Sequence, residues 1–156
     1  MQIQGRPLLL NGFGQRLYSF MKIPVYVAAL YVQHLSTDAQ AIIHSSEIKL
    51  LTIAFQHDVS AADARDAWRE GFDDNCRAPC RLDPGDVSRF LSLVPSIRAG
   101  DVYVILFTPD GATVQADGRP IGSIAMRQFA EVMLATFLGP RPASLELKRD
   151  LLQRHG

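Results

Sequence analysis

The sequence has few cysteines, no excess charge of either sign and no long hydrophobic run, and each absence excludes a class of protein. Its 156 residues carry 16 lysines and arginines against 16 aspartates and glutamates. Zero net charge gives no support for a nucleic-acid-binding surface or a polybasic membrane anchor. No apolar run approaches the roughly 18 residues that a membrane-spanning helix needs. The longest run, Val25–Val32, is rich in β-branched and aromatic residues and favours a buried strand.

Cys76 and Cys80 are the only cysteines. No further cysteine or nearby histidine completes a zinc site, and their spacing is not the C-x-x-C of thiol oxidoreductases. The pair is either two free thiols or a local disulfide, so we treat Cys76 and Cys80 as a disulfide candidate. A disulfide would favour an oxidising compartment.

Signatures of cofactor binding and catalysis are also missing. The segment Gly12–Gly14 lacks the third glycine and the following helix of a dinucleotide site. The chain has no phosphate-binding loop and no G-x-S-x-G nucleophile motif, and its four histidines are scattered. We therefore expect no cofactor and no metal site.

The apolar periodicity predicts strands, a helix, a strand, two helices, a hairpin and two helices, in that order. The short turns favour antiparallel pairing, so we expect an α+β fold in which one face of an antiparallel sheet carries the helices. No linker divides residues 1–156, which we interpret as a single domain. Asn11-Gly12 is interpreted as a turn. The predicted segments include the strands Leu17–Met21 and Ile48–Gln56 and the helices Thr37–Ser45, Ser123–Leu138 and Ser144–Arg154.

Three polar or aromatic side chains within apolar segments are candidates for a site. Arg16 lies at the entry to a nearly apolar region, where a cation must reach water, pair with a carboxylate or face an anionic ligand. Trp68 and Asn75 are about two helical turns apart and share one helix face. They either line a pocket or serve as a core tryptophan and a helix C-cap.

Short motifs occur in order along nearly the whole chain, and the most distinctive is an opening L-x-G-x-G-x-R followed by VY-x-A-x-LY. The motif segments are Leu10–Arg16, Val25–Val32, Glu70–Asn75, Gly100–Asp101, Pro109–Gly111, Phe129–Gly139 and Leu147–Leu152. In this order they resemble chalcone isomerase-like domains.

This resemblance implies an open-faced β-sandwich, a large antiparallel sheet covered by a layer of helices with a ligand cleft between them. Plant chalcone isomerases close a flavanone ring in this cleft, using an arginine with threonine and tyrosine hydroxyls, while an asparagine and a serine or threonine contact the far end of the substrate. Related non-catalytic members bind fatty acids, with the arginine facing the carboxylate. No cofactor is implied.

Arg16 and Asn75 match two of the family's functional positions, whereas the hydroxyl positions differ. The threonine position falls near Tyr26, the tyrosine position is Trp68, and the late serine or threonine falls near Ala130 or Glu131. An indole N–H donates a hydrogen bond but does not relay a proton as a phenol does.

We therefore expect a domain without flavonoid isomerase activity that binds a small apolar anion, such as a fatty acid, through Arg16, Tyr26, Trp68 and Asn75. Whether it is an enzyme stays open, and the alternative is an isomerase or intramolecular lyase acting on an enone. A third possibility is a structural or interaction module.

The compartment also stays open. Bacterial-type members of the family resemble exported proteins, which predicts a periplasmic protein whose signal peptide has been trimmed. A chain that is complete as given would be cytoplasmic, since it opens without a signal sequence.

Overall fold

The computed structural model describes residues 1–18 and 21–153, and this part of the chain contains eight strands and five helices. The strands are β1 (Gln2–Ile3), β2 (Arg6–Pro7), β3 (Leu9–Tyr18), β4 (Ile23–Val32), β5 (Lys49–Phe55), β6 (Val102–Thr108), β7 (Gly111–Ala116) and β8 (Arg119–Ile124). The helices are α1 (Ala39–His44), α2 (Ala61–Asn75), α3 (Pro84–Leu93), α4 (Arg127–Leu138) and α5 (Leu145–Leu151).

Strands β3 to β8 form one antiparallel sheet in which each strand pairs with the next along the chain. Short turns join β6 to β7 and β7 to β8. Between β7 and β8, Asp117 and Gly118 adopt φ angles of 50° and 79°, a left-handed conformation that aspartate and glycine tolerate in two-residue hairpins. The predicted α+β class, with an antiparallel sheet and a helix layer, is confirmed.

The helices cover one face of the sheet because apolar residues alternate along the strands. In β5, Leu51 and Ile53 are buried beneath the helices, whereas Thr52 and Ala54 point to the other face and remain partly or fully exposed. Helix α4 lies at the centre of the helix layer, where every residue from Val132 to Leu138 is buried. It contacts the other helices α1, α2 and α5 and the strands β6 and β7.

The opposite face is covered only in part. The β1–β2 hairpin lies over one end of this face, where Leu8, Ile48 and Leu50 form a second, small core with Ile3 and Tyr31 packed against it. The sheet is therefore covered on one side and largely open on the other.

The interpretation of Asn11-Gly12 as a turn is wrong, because β3 continues through both residues with only a register shift at Asn11. The buried Asn11 side chain donates to the carbonyl oxygens of Ser36 and Leu151 and accepts from the Ser36 amide. A Cβ atom on Gly12 would lie 2.3 Å from the Asp150 carbonyl oxygen. The polar residue and the glycine are thus required for close packing of α5 rather than for a turn.

The helix predicted at Ser123–Leu138 begins four residues later in the structure. Ser123 and Ile124 belong to β8, where they pair with Thr113 and Ala112, and the helix starts at Arg127. The mixed apolar pattern of this segment fits both periods, and pairing with β7 decides in favour of a strand.

Two other helices begin beside a residue of a type that commonly caps helices. Asp38 caps α1 and Ser60 caps α2, each side chain accepting a hydrogen bond from an amide of the first turn. Ser19 and Phe20 of the predicted strand Leu17–Met21, and Arg154 of the last predicted helix, lie outside the described residues.

Candidate functional site

Arg16 lies toward the end of β3, directly opposite Tyr26 of β4. Residues that face each other across an antiparallel pair share one face of the sheet. Tyr26 packs against the main core beneath the helices. Both half-buried side chains therefore lie on the helix-covered face.

A β-bulge adjoins this pair. Tyr26 is opposite Arg16 but Pro24 is opposite Leu17, so Val25 is the extra residue. Pro24 has no N–H to donate to the neighbouring strand. The carbonyl oxygen of the extra residue, Val25, accepts a hydrogen bond from the Gln56 amide at 2.8 Å. Bulges bend and twist a strand and redirect neighbouring side chains. The strand is therefore expected to bend next to the Arg16–Tyr26 pair.

Three aromatic rings extend from Arg16 across the next strands and form what we call the aromatic row: Tyr26, Phe55 and Tyr103. The ring centroids of Tyr26 and Phe55 are 5.5 Å apart, and those of Phe55 and Tyr103 are 5.4 Å apart, both in edge-to-face geometry. A cation thus lies at one end of an aromatic wall. Sequence reasoning missed Phe55 and Tyr103, because their proximity depends on strand register.

Arg16 forms no ion pair with any residue in 1–18 or 21–153. Its Nη1 donates to the Leu17 carbonyl oxygen at 3.0 Å. Asp150 of α5 lies beside Gly14, with its Oδ2 2.7 Å from where a Gly14 Cβ would be. Gly14 and Arg16 are two apart on β3 and share a face. The guanidinium is therefore a candidate partner for an anion from outside the chain.

The Tyr26 hydroxyl stays protonated over the physiological range. Burial raises the pKa of Tyr26 to about 12, and the positive charge of Arg16 opposes part of that rise. A neutral phenol donates a hydrogen bond. Arg16 and Tyr26 together present donors to an anionic group.

Trp68 belongs to an aromatic cluster within the helix layer. Its ring contacts Phe72 of the same helix, Phe90 of α3 and Phe137 of α4 at centroid separations of 5.4 to 6.0 Å. No ring contact joins Trp68 to Tyr26 in the described part of the chain. Trp68 does pack against the same main core as Tyr26 and Phe55.

Asn75, the last residue of α2, directs its amide at backbone groups. Its Nδ2 donates to the carbonyl oxygens of Gly71 and Arg141, each at 2.9 Å, and its Oδ1 accepts from the Arg141 amide. These bonds tie the end of α2 to the loop after α4. A ligand role for Asn75 stays a prediction, and these contacts give it a structural role.

Asn75→Ala is expected to lower the free energy of unfolding by about 1–2 kcal/mol, because it removes three hydrogen bonds to the backbone. Urea unfolding measures this change. Asn75→Asp is the matched variant, since it keeps the acceptor and loses both donors. If both variants are as stable as the wild type, the amide has no structural role.

The structure joins Cys76 and Cys80 by a disulfide. The bond closes the short segment after α2, and both cysteines pack against the main core.

Ala130 and Glu131, the remaining family positions, lie far from Arg16. Ala130 is buried in α4, and Glu131 contacts His44 and Arg127. Both line a small cavity with Lys49, which is six residues from Phe55 on β5 and therefore about 20 Å from it.

A larger cavity also lies at the Lys49 end of the sheet, and Arg16, Tyr26, Trp68 and Asn75 line neither of these two cavities. No metal cluster of three or more histidine, cysteine, aspartate or glutamate side chains occurs among residues 1–18 and 21–153. Within the same ranges, no helix combines the length and apolar character needed to cross a membrane.

A match over nearly the whole chain shows the family. The family model described as chalcone isomerase-like matches residues 1–153. The chain belongs to the chalcone isomerase-like family, as its motifs predicted.

Solved structures include a similar fatty-acid binding protein of Arabidopsis thaliana. It superposes with a TM-score of 0.76 at 15% identity, over 93% of this chain and 86% of that chain. An identity this low shows a shared fold alone. No curated protein sequence matches the chain significantly.

Proposed function

We propose that this chain is a binding protein for a small apolar anion, a fatty acid, whose carboxylate pairs with Arg16. The observation that carries the proposal is the position of Arg16 at the end of the aromatic row, without an ion pair among the described residues. A guanidinium donates a planar fork that fits a carboxylate, and aromatic rings offer apolar contact to an alkyl chain.

Tyr26 supports the carboxylate role. Its neutral hydroxyl lies on the same face as Arg16 and provides a second donor. The half-buried Tyr26, Phe55 and Trp68 pack on one core and leave ring surface that an alkyl chain would cover. The fatty-acid binding function of the Arabidopsis protein is consistent with this ligand class.

The same tyrosine disfavours the isomerase alternative. A general acid works best when its pKa is near the working pH, and the pKa of Tyr26 is raised to about 12. Trp68 holds the position of the family tyrosine and transfers no proton. The proposed protein therefore binds its ligand without converting it. Turnover of a chalcone or a simple enone that Arg16→Ala abolishes would contradict this.

Arg16→Ala is expected to weaken hexadecanoate binding roughly 10- to 100-fold, the range expected for losing a hydrogen bond to a charged group. Isothermal titration calorimetry with hexadecanoate measures the affinity. Hexadecanol, which has no charge, is expected to bind the wild type and Arg16→Ala equally.

Two variants and one native measurement complete the test. Arg119→Ala removes an exposed arginine of β8, at the opposite edge of the sheet, and is expected to leave affinity unchanged. Tyr26→Phe is expected to weaken hexadecanoate binding less than Arg16→Ala does. Native mass spectrometry of protein from its own host is expected to show a co-purifying lipid. Protein that carries no co-purifying lipid and does not bind hexadecanoate would favour the structural or interaction module.

We further propose that the protein is an exported, periplasmic protein of bacterial type. The Cys76–Cys80 disulfide supports an oxidising compartment. Alkylation of protein from its own host without reduction tests this, because free thiols at both cysteines would argue for a reducing compartment.

A further inference from the structure

Lys49 is a buried lysine at the opposite end of the sheet from Arg16. It is the first residue of β5 and lies between the apolar Val32 of β4 and Phe107 of β6. Its position in the strand matches that of Leu51 and Ile53, so it faces the helices. Only 6% of its surface is exposed, which is rare for a lysine without a charged partner.

One hydrogen bond holds the amine. Lys49 Nζ donates to the Ser45 carbonyl oxygen at 2.6 Å, and it forms no ion pair with a carboxylate in residues 1–18 or 21–153. An ammonium carries three donors, whereas a neutral amine has two and a free electron pair. A single acceptor at a buried amine favours the neutral form.

The two nearby carboxylates are already occupied. Glu131 bonds to His44 Nδ1 and lies 3.5 Å from Arg127 Nε, and Glu47 bonds to His34 Nδ1 at 2.6 Å. Each carboxylate thus attracts Lys49 less than an unpaired one would.

The balance of burial and charge leaves part of the amine unprotonated. Burial lowers the pKa of Lys49 to about 8, with Arg127 acting in the same direction and Glu131 and Glu47 opposing it. At pH 7, about one molecule in ten then carries a neutral amine, against about one in 3,000 for an ordinary lysine.

Lys49 also has space beside it. It lines a cavity of about 10 Å³ together with Thr108 and Arg127, which is room for about one water molecule. It lines a second cavity of about 120 Å³, whose apolar walls include Val32 and Ile42. The second cavity is large enough for an organic molecule of a few carbon atoms.

We propose that Lys49 is a nucleophilic amine that condenses with small aldehydes entering the second cavity. The electron pair of Nζ attacks the carbonyl carbon, a C–N bond forms as the C=O π bond breaks, and one proton moves from the nitrogen to the oxygen. The resulting carbinolamine loses its hydroxyl group and one nitrogen proton as water, leaving an imine. No oxidant or reductant takes part. The site is about 20 Å from the Arg16 end of the sheet. This proposal can therefore be tested independently of fatty-acid binding.

Reductive trapping tests the proposal on the wild-type protein. Butanal with cyanoborohydride at pH 7 converts each imine to a stable secondary amine that peptide mass mapping locates. Lys22, Lys49 and Lys148 are the only lysines, so each serves as a reporter. Lys148 is the matched control, because its Nζ also donates to a carbonyl oxygen, that of Gly139, at 2.9 Å.

Lys49 is expected to be labelled at least about tenfold faster than Lys22 and Lys148 at pH 7. This advantage is expected to shrink as the pH rises toward 10, where exposed amines also become neutral. Labelling of Lys49 at a rate equal to or below that of the other two overturns the proposal, and this comparison needs no variant.

The cavity has its own test. A dextran polymer that carries aldehyde groups, which is too large to enter the second cavity, is expected to label Lys22 and spare Lys49. If Lys49 reacts as fast with this polymer as with butanal, entry through the cavity is excluded. Lys49→Arg keeps the charge and removes the nucleophile, so the fast label is expected to disappear while Lys22 and Lys148 react unchanged. A fast label that persists in this variant also overturns the proposal.

Discussion

Gly12→Ala is expected to lower the free energy of unfolding by at least about 3 kcal/mol, the range of severe packing defects. The added Cβ would lie 2.3 Å from the Asp150 carbonyl oxygen and 2.5 Å from that of Leu151. Both are backbone atoms of α5, so no side-chain rotation relieves the clash. The helix must move off β3, which exposes the buried Leu147 and Leu151 and breaks the bond from Asn11 to the Leu151 carbonyl.

Urea unfolding followed by circular dichroism measures the loss. Gly85→Ala is the matched control, because its Cβ would meet only a side-chain oxygen of Asp83, at 3.0 Å. The control is expected to stay within about 1 kcal/mol of the wild type. If Gly12→Ala is equally mild, the close packing of α5 on β3 is not as described.

The free energy of unfolding is expected to rise with pH between about 8 and 10 and to fall above 10. The pKa of Lys49 is lowered from 10.5 to about 8, so in this window the unfolded chain holds a proton that the native state has lost. Stability therefore rises with pH there. Tyr26 acts in the opposite sense, because its pKa is raised from 10.0 to about 12 and the unfolded chain loses the proton first. Its stabilisation is complete below pH 10 and is lost toward pH 12.

The rise and the fall in the free energy of unfolding are each expected to reach about 2 kcal/mol, after allowance for residual solvent contact. Urea unfolding at intervals from pH 7 to 11.5 measures both. Lys49→Met is expected to flatten the rise, and Tyr26→Phe is expected to reduce the fall. Burial also raises the pKa of Tyr103, so part of the fall persists in Tyr26→Phe. A wild-type stability that only decreases from pH 8 upward would contradict the assignment of Lys49.

Local patterns predicted the order of strands and helices because each depends on residues close in sequence. Ser60 and Asp38 mark the starts of their helices, because each side chain accepts a hydrogen bond from an amide only three residues away. Asn11-Gly12 misled for the opposite reason. The groups that explain it, the Leu151 and Asp150 carbonyls, lie some 140 positions away and become relevant only when α5 packs.

The candidate site could likewise be predicted only in part. Arg16 stood out as a cation in an apolar region, and the family resemblance supplied Tyr26 as a further candidate. Phe55 and Tyr103 needed strand register to join them. Lys49 did carry a local signal, since it occupies an inward position in an otherwise apolar strand, with Leu51 and Ile53 at the next two inward positions. Trp68 and Asn75 were ambiguous because a stripe on a helix does not reveal what lies opposite it.

The contact between α5 and β3 also has a consequence for the growing chain. In the main sheet, β6, β7 and β8 follow one another through short turns, so these hairpins form soon after each strand leaves the ribosome. The inward face of β3 is different, because the helix packed against it spans Leu145–Leu151. Until that segment emerges, the nascent protein presents a ten-residue edge strand without its covering helix, the kind of surface that chaperones shield and that aggregates recruit.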